Sequence, residues 1–257
     1  MEILVCIKRV PAVGGQIALT EDGRQMDTRF LGFTISPHEE CAVEEAVRMV
    51  ESSGGTSTVL TLGVGESEEQ LRAAFAIGID RGILLETDGE GWDPVATAAA
   101  IVDVIRSERE AGRSFDVILF GNEAADTGDF QVGIRVAHAL NLPCVVGVKG
   151  LEFADGKAIA GREAASGGSE IFEVGLPAVF TVKEGLNLPR YPSVPGRMRA
   201  KKKEIDRLQP VLRPGGLKTL KLKVPPDQGG TVEILGTGPQ AAPAVVALLQ
   251  RLGVVER

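Results

Sequence analysis

The sequence predicts an α/β protein built on a doubly wound, mostly parallel β-sheet with helices on both faces. Short apolar segments typical of buried strands alternate with amphipathic segments of helical period as far as Val148. The connections between them are short, as in right-handed strand–helix–strand units. After Val148 the pattern favours antiparallel strands that extend the sheet. From Pro210 onward, prolines and glycines interrupt the chain, which predicts an extended C-terminal arm with one last helix from Pro239 to Leu252.

Six apolar segments are predicted to be strands of this sheet. Five of them are ILVCI after Glu2, STVLTL after Thr56, GILLE after Arg81, DVILF after Phe115 and CVVGV after Pro143. The sixth, LPAVFTV, follows a region with two turn signals, Asp155-Gly156 and Gly167-Gly168. We expect this last strand at the edge or in the centre of the same sheet.

Four amphipathic segments are predicted to be the helices between these strands. The first has the pattern of a capping box, with Ser36 as the N-cap, Pro37 in the first turn and Glu39 at the third position. Its Ala42, Val43, Ala46, Val47 and Val50 share one apolar face, and Glu44 and Glu45 are expected on the solvated side. The other three are SEEQLRAAFAI, which repeats the capping pattern with Ser67 and Gln70, DPVATAAAIVDVIR with Asp93 as cap, and DFQVGIRVAHAL.

Composition excludes several classes of function. The chain has 257 residues, a formal net charge of −7 and 44% hydrophobic residues, so it can form a full core and as a whole repels nucleic acid. Its three cysteines lie far apart and are expected to be reduced thiols, which favours a cytoplasmic location. No segment reaches the ~18 apolar residues of a membrane span, so no membrane insertion is predicted. We also predict no metal site.

The loop GNEAADTGDFQVG after the fourth strand is the strongest candidate for a ligand site, because ligands bind beyond the carboxyl ends of strands in such sheets. Glycine lets the backbone approach a phosphate, and the amides of a helix N-terminus point toward it. Asp126 and Asp129 would repel phosphate, so we expect them to cap the helix or to hold loop amides and ribose hydroxyls. An ordinary turn is the alternative. The loop LGVGESEE has Glu68 where the dinucleotide fingerprint needs glycine.

No catalytic residue is predicted. His38 and His138 are expected to be packing or surface residues, and no serine lies in a nucleophile context. Lys8 and Arg9 either pair with phosphates or simply end a strand. The function is therefore expected to come from binding.

The segment NLPRYPSVPGRMRAKKKEI, residues 187–205, is unusual in a mildly acidic protein because a proline-rich apolar stretch adjoins a basic run. Three explanations are open for this segment: nucleic-acid binding, a solvated helix face, or a docking loop for another protein. The aromatic content of 4% offers no stacking platform, which disfavours nucleic acid.

Several segments resemble, in order, those of the β subunit of electron-transfer flavoprotein. They are VCIKRVP, AVEEAVR, LGVG, LRAAFAIGIDRGILLE, GNEAADTGDFQVG, LPAVFTV and, most specifically, NLPRYPSVPGRMRAKKKEI. The resemblance implies a fold of the adenine-nucleotide-binding type and a heterodimer in which the α subunit carries the redox-active FAD and the β subunit holds a structural AMP. Such a dimer takes electrons from flavin dehydrogenases, such as the acyl-CoA dehydrogenases of fatty acid oxidation, and passes them to a membrane quinone oxidoreductase. The subunit is an electron carrier rather than a catalyst by itself.

The resemblance also implies two sites and two parts of the chain. The AMP pocket would be formed by Cys6 (through its backbone), Ser36, Pro37, His38, Glu39, Leu62, Asn122, Asp126, Thr127, Gly128, Asp129, Gln131, Val132 and Gly133. The loop 191–198 would dock the dehydrogenase through Tyr191, Pro192, Val194, Pro195 and Met198, with Val194 at its tip. The basic residues Arg197, Arg199, Lys201, Lys202 and Lys203 would steer acidic partners. Residues 1–209 would form the core, which includes the recognition loop 187–205, and residues 210–257 an arm that packs on the α subunit.

Several positions depart from the family pattern. Ser36-Pro37-His38 replaces the common Asn-Pro-Phe, and Val13 stands where some members have tyrosine. In electron-bifurcating members a second FAD occupies the AMP position, and Ile134 replaces the proline that follows Gln-Val-Gly in their loop. We therefore expect AMP, with a second FAD as the alternative. A nucleotide-binding module of the universal-stress type is the alternative of another class, but it leaves the segment 187–205 unexplained.

Overall fold

The structure, a computed structural model, describes residues 1–12, 14, 17–154, 156–165, 167–213, 215–216, 218–226 and 232–255. The chain divides into two units, Met1–Lys221 and Leu222–Arg257. Val13, at the position where some relatives have tyrosine, and Asp155 of the first predicted turn lie outside the described residues. The predicted division of the chain at residue 209 stays a prediction.

The described part of the first unit contains a nine-stranded sheet and a small two-stranded one. The strands are β1 (Glu2–Ile7), β2 (Val10–Pro11), β3 (Phe33–Thr34), β4 (Thr56–Gly63), β5 (Arg81–Glu86), β6 (Val117–Gly121), β7 (Cys144–Ala154), β8 (Lys157–Glu163), β9 (Ser169–Gly175), β10 (Ala178–Val182) and β11 (Asp206–Leu208). The large sheet has the order β11-β5-β4-β1-β6-β10-β7-β8-β9, and β2 pairs antiparallel with β3.

The strands from β11 to β7 are all parallel, and β8 and β9 continue the sheet antiparallel. The doubly wound, mostly parallel sheet and its antiparallel extension are therefore confirmed. The segment LPAVFTV contains β10, a central strand whose five residues are all buried between β6 and β7. It has the continuous apolar character that a parallel strand covered on both faces requires.

Helices cover the two faces of the sheet. They are α1 (Pro37–Ser53), α2 (Glu68–Ile77), α3 (Pro94–Glu110), α4 (Val132–Leu140) and α5 (Val194–Ala200). The side chains of α1 and α2 share one core with the odd residues of β1, whereas those of α3 and α4 share the other with its even residues. This alternation follows from the two-residue period of a strand, which sends successive side chains to opposite faces.

The helix starts test the predicted caps. Ser36 accepts the Glu39 amide and the Glu39 carboxylate accepts the Ser36 amide, so the predicted capping box is confirmed. Asp93 caps α3 by accepting the Ala96 amide at 2.8 Å, which is also as predicted. Ser67 is at the N-cap position of α2, but the predicted capping bonds are wrong: α2 follows a short 3₁₀ turn, and the Ser67 side chain makes no capping bond.

The segment 187–205 differs from the expected loop. Residues 194–200 form α5, which begins at Val194 behind the N-cap Ser193, whose side chain accepts the Gly196 amide at 3.1 Å. Proline in the first turn has no amide hydrogen to leave unpaired and has a φ already suited to a helix, so Pro195 favours a helix start here.

The second unit, in its described residues, consists of extended chain, a 3₁₀ turn (Gly238–Ala241) and the helix α6 (Ala242–Arg251). No side chain of α6 is buried. Val232 and Ile234 in the extended part are also largely exposed. This unit therefore has the character of the predicted arm, with apolar side chains but no described core of its own.

Candidate functional site

The strand order reverses between β1 and β6. From β1 the chain builds the sheet in one direction through β4 and β5, and then returns to place β6 on the other side of β1. The connections that leave β1 and β6 therefore diverge to opposite faces and open a crevice at the carboxyl ends of these two strands. Helix α1 begins there, which brings the predicted residues Ser36 to Glu39 to the same edge of the sheet as Cys6 and Asn122.

Glu39 joins the end of β1 to the start of α1. One carboxylate oxygen accepts the Lys8 amide at 2.7 Å, and the other accepts the Ser36 amide at 2.8 Å. The residue is only 6% exposed, and burial raises the pKa of its carboxyl to about 7 although the donated hydrogen bonds act in the opposite direction. The capping role of Glu39 follows from the local sequence pattern. Its bond to the chain at the end of β1 has no local signal in the sequence.

Close packing fixes the end of β6 against α1. A Cβ at Gly121 would lie 2.7 Å from Cγ of Glu39 and 3.4 Å from Oγ of Ser36, so only glycine lets the two elements approach so closely. Cys6 is buried on β1 beside them, and burial, followed by the charge of Glu39, raises the pKa of its thiol. The thiol is therefore protonated and unreactive, and the backbone is the part of Cys6 that a ligand can use.

Lys8 closes the crevice on one side. Its ammonium lies 2.7 Å from the carboxylate of Asp126 in the loop after β6. The loop turns on itself, since the Ala124 amide donates to the Asp129 carbonyl and the Gly128 amide to the Ala124 carbonyl. Gly128 has a φ of +67°, which the turn requires and which favours glycine. Lys8 is thus the cation that faces this loop.

His38 is held through both ring nitrogens. Its Nδ1 accepts the Glu184 amide at 2.8 Å, and its Nε2 lies 3.4 Å from the Glu123 carboxylate. Both ring nitrogens of His38 therefore contact groups of the protein, and its predicted place in the nucleotide pocket stays a prediction.

The start of α4 has no side-chain cap. The N-cap is Gln131, which makes no capping bond and instead accepts the Arg135 guanidinium with its Oε1. The expectation that Asp126 or Asp129 caps this helix is wrong, because Asp126 pairs with Lys8 and the Asp129 side chain accepts only a 3.3 Å contact from Gln131. The backbone amides in the first turn of α4 therefore need hydrogen-bond acceptors other than a capping side chain.

A cleft of about 280 Å³ opens on the other side of Asn122, at the carboxyl ends of β6 and β10 and beside the first residues of β7, which pair with β10. It is lined by Asn122, Phe130, Ile134, Val146, Gly147, Arg162, Glu163, Thr181 and Lys183. Thr181 donates its hydroxyl to Oδ1 of Asn122 at 2.9 Å, which leaves the NH₂ of Asn122 as its remaining hydrogen-bonding group.

Only Asn122 of the predicted pocket residues lines this cleft. Cys6 and Ser36 to Glu39 lie at the crevice between β1 and β6, and Leu62 lies half-buried at the end of β4. Asp126, Thr127 and Gly128 lie in an exposed turn followed by the half-buried Asp129, and Gln131, Val132 and Gly133 begin α4. The sequence reasoning missed Thr181 and Lys183, although the rule about strand ends would have identified them if applied to LPAVFTV.

The predicted docking residues form an exposed apolar surface. Tyr191 is 96% exposed, Val194 76% and Met198 57%, and Leu188 beside them is 90% exposed. Pro195 is exposed as well, and Pro192 is half-buried. Isolated apolar side chains on a surface need no explanation, but a contiguous group along one short segment is typical of an interaction site.

The base of this surface is attached to α1 by buried carboxylates. Glu44, with its side chain 5% exposed, receives the amide and the guanidinium of Arg190, and Glu45 accepts the side-chain amide of Asn187 at 2.9 Å. Hydrogen bonds to Glu51, and then to Glu44, raise the pKa of the Arg190 guanidinium. The expectation that Glu44 and Glu45 lie on a solvated face is therefore wrong.

Helix α5 rests on the end of α2. Arg72 donates to the Ala200 carbonyl at 2.7 Å, and a Cβ at Gly196 would lie 2.2 Å from the Ala76 carbonyl oxygen. The Lys203 ammonium donates to the carbonyls of Ile79 and Asp80, so it is committed to the protein and is not available for steering. Arg197, Arg199, Lys201 and Lys202 are exposed.

No helix in the described ranges combines the length and apolar character needed to cross a bilayer. No group of three or more histidine, cysteine, aspartate or glutamate side chains in those ranges is arranged to hold a metal ion.

Comparison with known proteins identifies the family. The model of the electron transfer flavoprotein domain matches residues 27–212. The electron transfer flavoprotein subunit beta of Syntrophomonas wolfei is 36% identical over 91% of this chain and 90% of its own length, and that of Bacillus subtilis is 36% identical over 81% and 79%. The mitochondrial subunit beta of Oryza sativa subsp. japonica is 32% identical over 82% of both chains. The names of these relatives describe electron transfer proteins, in agreement with the prediction of an electron carrier. The chain therefore belongs to the electron transfer flavoprotein family, as a protein of the β-subunit type.

Proposed function

We propose that this chain is the β subunit of a heterodimeric electron-transfer flavoprotein that carries electrons from flavin dehydrogenases, such as acyl-CoA dehydrogenases, to a quinone oxidoreductase. The observation that carries the proposal is the exposed apolar surface at Leu188, Tyr191, Val194 and Met198, whose base is attached to α1 and α2. A transient electron carrier needs such a surface because it must find its partner, bind briefly and dissociate.

We propose AMP as the ligand of the β subunit, bound around the carboxyl ends of β1 and β6. The residues present fit an adenylate: the first-turn amides of α4 lack a side-chain cap, Lys8 supplies a cation, and the NH₂ of Asn122 supplies a donor. When bound, AMP would have a structural role and would take no part in electron transfer. The pocket residues Cys6, Ser36 to Glu39, Leu62 and 122–133 are proposed on the same basis.

We favour AMP over a second FAD because the loop lacks the full motif of the bifurcating type. Ile134 stands in place of proline and is 45% exposed at the edge of the cleft. The redox-active FAD is proposed to be held mainly by the α subunit. The three cysteines are free in the structure, which supports reduced thiols and a cytoplasmic location.

The second unit is proposed to pack on the α subunit. The exposed side chains of Val245 and Val246 on α6, at 40% and 49%, would be buried there. Val246→Asp introduces a carboxylate into this surface and is expected to weaken the heterodimer. Analytical ultracentrifugation measures the concentration at which the heterodimer dissociates. A heterodimer of unchanged affinity would contradict this assignment.

The proposal is tested by co-expression with the α subunit, followed by denaturation and quantification of the released nucleotides. One FAD and one AMP per heterodimer are expected. Two flavins would indicate the bifurcating type, and a colourless stable monomer would indicate a nucleotide-binding module instead.

For the docking surface, Val194→Ala is expected to slow electron transfer from the dehydrogenase without change in flavin content, and unaltered kinetics would exclude a docking role.

A further inference from the structure

The segment Glu184–Arg190 lies along α1 and is attached to it at three successive places. At the first turn of the helix, the Glu184 amide donates to Nδ1 of His38 at 2.8 Å. One turn further, Asn187 donates its side-chain amide to the carbonyl of Cys41 at 3.0 Å. The same group donates to Glu45. The segment therefore follows the helix from the candidate nucleotide site toward the docking surface.

Arg190 makes the third and strongest attachment. Its guanidinium donates to both oxygens of Glu44 and to both oxygens of Glu51 at distances between 2.6 and 3.1 Å, and its backbone amide also donates to Glu44 at 3.1 Å. Glu44 is almost fully buried, whereas Glu51 is exposed. A planar fork that binds two carboxylates is specific to arginine, because the ammonium of lysine acts as a point charge.

Arg190 lies in the middle of the exposed apolar surface. Leu188 precedes it and Tyr191 follows it, and both side chains are at least 90% exposed. On the far side of Val194 the chain is fixed again, because α5 contacts the Ala76 carbonyl through Gly196. The exposed side chains thus belong to a short stretch of chain that is attached to α1 and to α2.

We infer that Arg190 is a positioning residue for partner docking, which orders the segment from Leu188 to Val194 before the partner arrives by clamping it to Glu44 and Glu51 of α1. This inference rests on the docking role proposed above. A segment that is ordered before binding loses less conformational entropy on binding, so the clamp increases affinity without any contact between Arg190 and the partner. Chemistry at the flavin is unaffected.

The test compares Arg190→Lys with Arg109→Lys in the purified heterodimer. Arg109 is an exposed residue of α3 on the other face of the sheet, and it makes no ion pair in the described part of the structure. We expect Arg190→Lys to raise the KM of the dehydrogenase for the flavoprotein by about fivefold with kcat unchanged, since the loss of backbone order at about one residue has this magnitude. Arg109→Lys should have the KM and kcat of the unmodified protein. The rate at which dithionite reduces the flavin should be the same in both variants and in the unmodified protein.

Hydrogen exchange of the peptide that contains Arg190 gives a readout that a purely structural role would not change in this way. The backbone amide of residue 190 should lose protection from exchange in Arg190→Lys, while exchange in the strands of the sheet stays unchanged. A general loss of protection, or a change in kcat with KM unchanged, would overturn the inference. Glu51→Gln serves as a milder variant, because it weakens only the exposed half of the clamp, and the same changes of smaller size are expected. If Glu51→Gln leaves both KM and exchange unchanged, the inference is also overturned.

Val194→Ala separates this inference from the docking proposal. If Val194→Ala leaves the kinetics unchanged, docking by this surface is excluded. If Val194→Ala raises KM and Arg190→Lys does not, docking stands and the clamp is excluded. In the double variant the two effects should be less than additive, because the clamp acts by presenting Val194. Full additivity would show that Arg190 acts elsewhere.

Discussion

The ammonium of Lys8 lies 2.7 Å from the carboxylate of Asp126, and this pair joins the end of β1 to the loop that follows β6. The two groups have opposite charges and lie next to the position proposed for the phosphate of AMP. Removal of the positive charge and removal of the negative charge should therefore change the affinity for an anionic ligand in opposite directions. Lys8→Met is expected to weaken AMP binding about tenfold, whereas Asp126→Asn should leave the affinity unchanged or increase it.

Isothermal titration of the nucleotide-free heterodimer with AMP checks this prediction. Adenosine, which lacks the phosphate, is the control ligand and should bind both variants equally. An equal loss of AMP affinity in Lys8→Met and Asp126→Asn would mean that the pair is only a structural bridge.

Glu39 should make stability fall as pH rises from about 4.5 to about 7. Burial raises the pKa of this carboxyl from its ordinary value of 4.5 to about 7, so within that window the folded state holds a proton that the unfolded state has released. The unfolded state then binds fewer protons, and the free energy of unfolding decreases with pH. Glu39→Gln should remove this dependence, although it also loses one of the two amide acceptors.

Urea unfolding of the unmodified protein, Glu39→Gln and Glu69→Gln at pH 5, 6 and 7 measures the effect. Glu69 is exposed on α2, so its variant should follow the unmodified protein. Parallel pH profiles for all three proteins would contradict the assignment.

Glu108 should show the opposite behaviour. Hydrogen bonds from Arg113, and then from Arg81, lower the pKa of its carboxyl to about 2. The stabilisation is therefore complete above the ordinary value of 4.5 and is lost as pH falls toward 2. Glu108→Gln should lower the free energy of unfolding by about 2 kcal/mol at pH 7, an amount reduced by the partial exposure of both arginines.

Acid unfolding monitored by circular dichroism tests this second prediction. The difference between the unmodified protein and Glu108→Gln should shrink as pH falls below about 4.5. A constant difference would show that the loss is one of packing alone.

Gly196→Ala should destabilise the protein even though alanine is the better helix former by about 1 kcal/mol. The added Cβ would lie 2.2 Å from the Ala76 carbonyl oxygen, so α5 must move away from the end of α2. We expect a lower melting temperature and a higher KM for the dehydrogenase. Gly175→Ala is the control, because a Cβ there meets nothing within 4 Å. A higher melting temperature in Gly196→Ala would show that α5 is not held at this contact.

Local signals were sufficient for much of the fold. The capping box at Ser36 and Glu39 and the cap at Asp93 depend on residues that are neighbours in the sequence, and both are found in the structure. The apolar segments identified the strands for the same reason. The cap at Ser67 failed because the chain forms a 3₁₀ turn before α2, and no local pattern distinguishes the two starts.

Long-range pairs could not be predicted. Glu44 and Glu45 have the sequence pattern of an exposed helix side, and their burial depends on Arg190 and Asn187, which are more than 140 positions away in the chain. The same holds for the Lys8–Asp126 pair at the candidate site. The docking role of the segment 191–198 comes from the resemblance and stays a proposal, whereas the attachment of the residues just before it to α1 could be found only in the structure.

The position of β10 between β6 and β7 has a consequence for synthesis on the ribosome. Strand β6 ends at Gly121, and its neighbour β10 begins only at Ala178, so β6 leaves the exit tunnel long before its partner is made. Until then the nascent chain exposes an apolar strand edge, which other chains can join. Slow translation through the antiparallel strands β7 to β9 would prolong this exposure, and chaperone demand should peak in that interval.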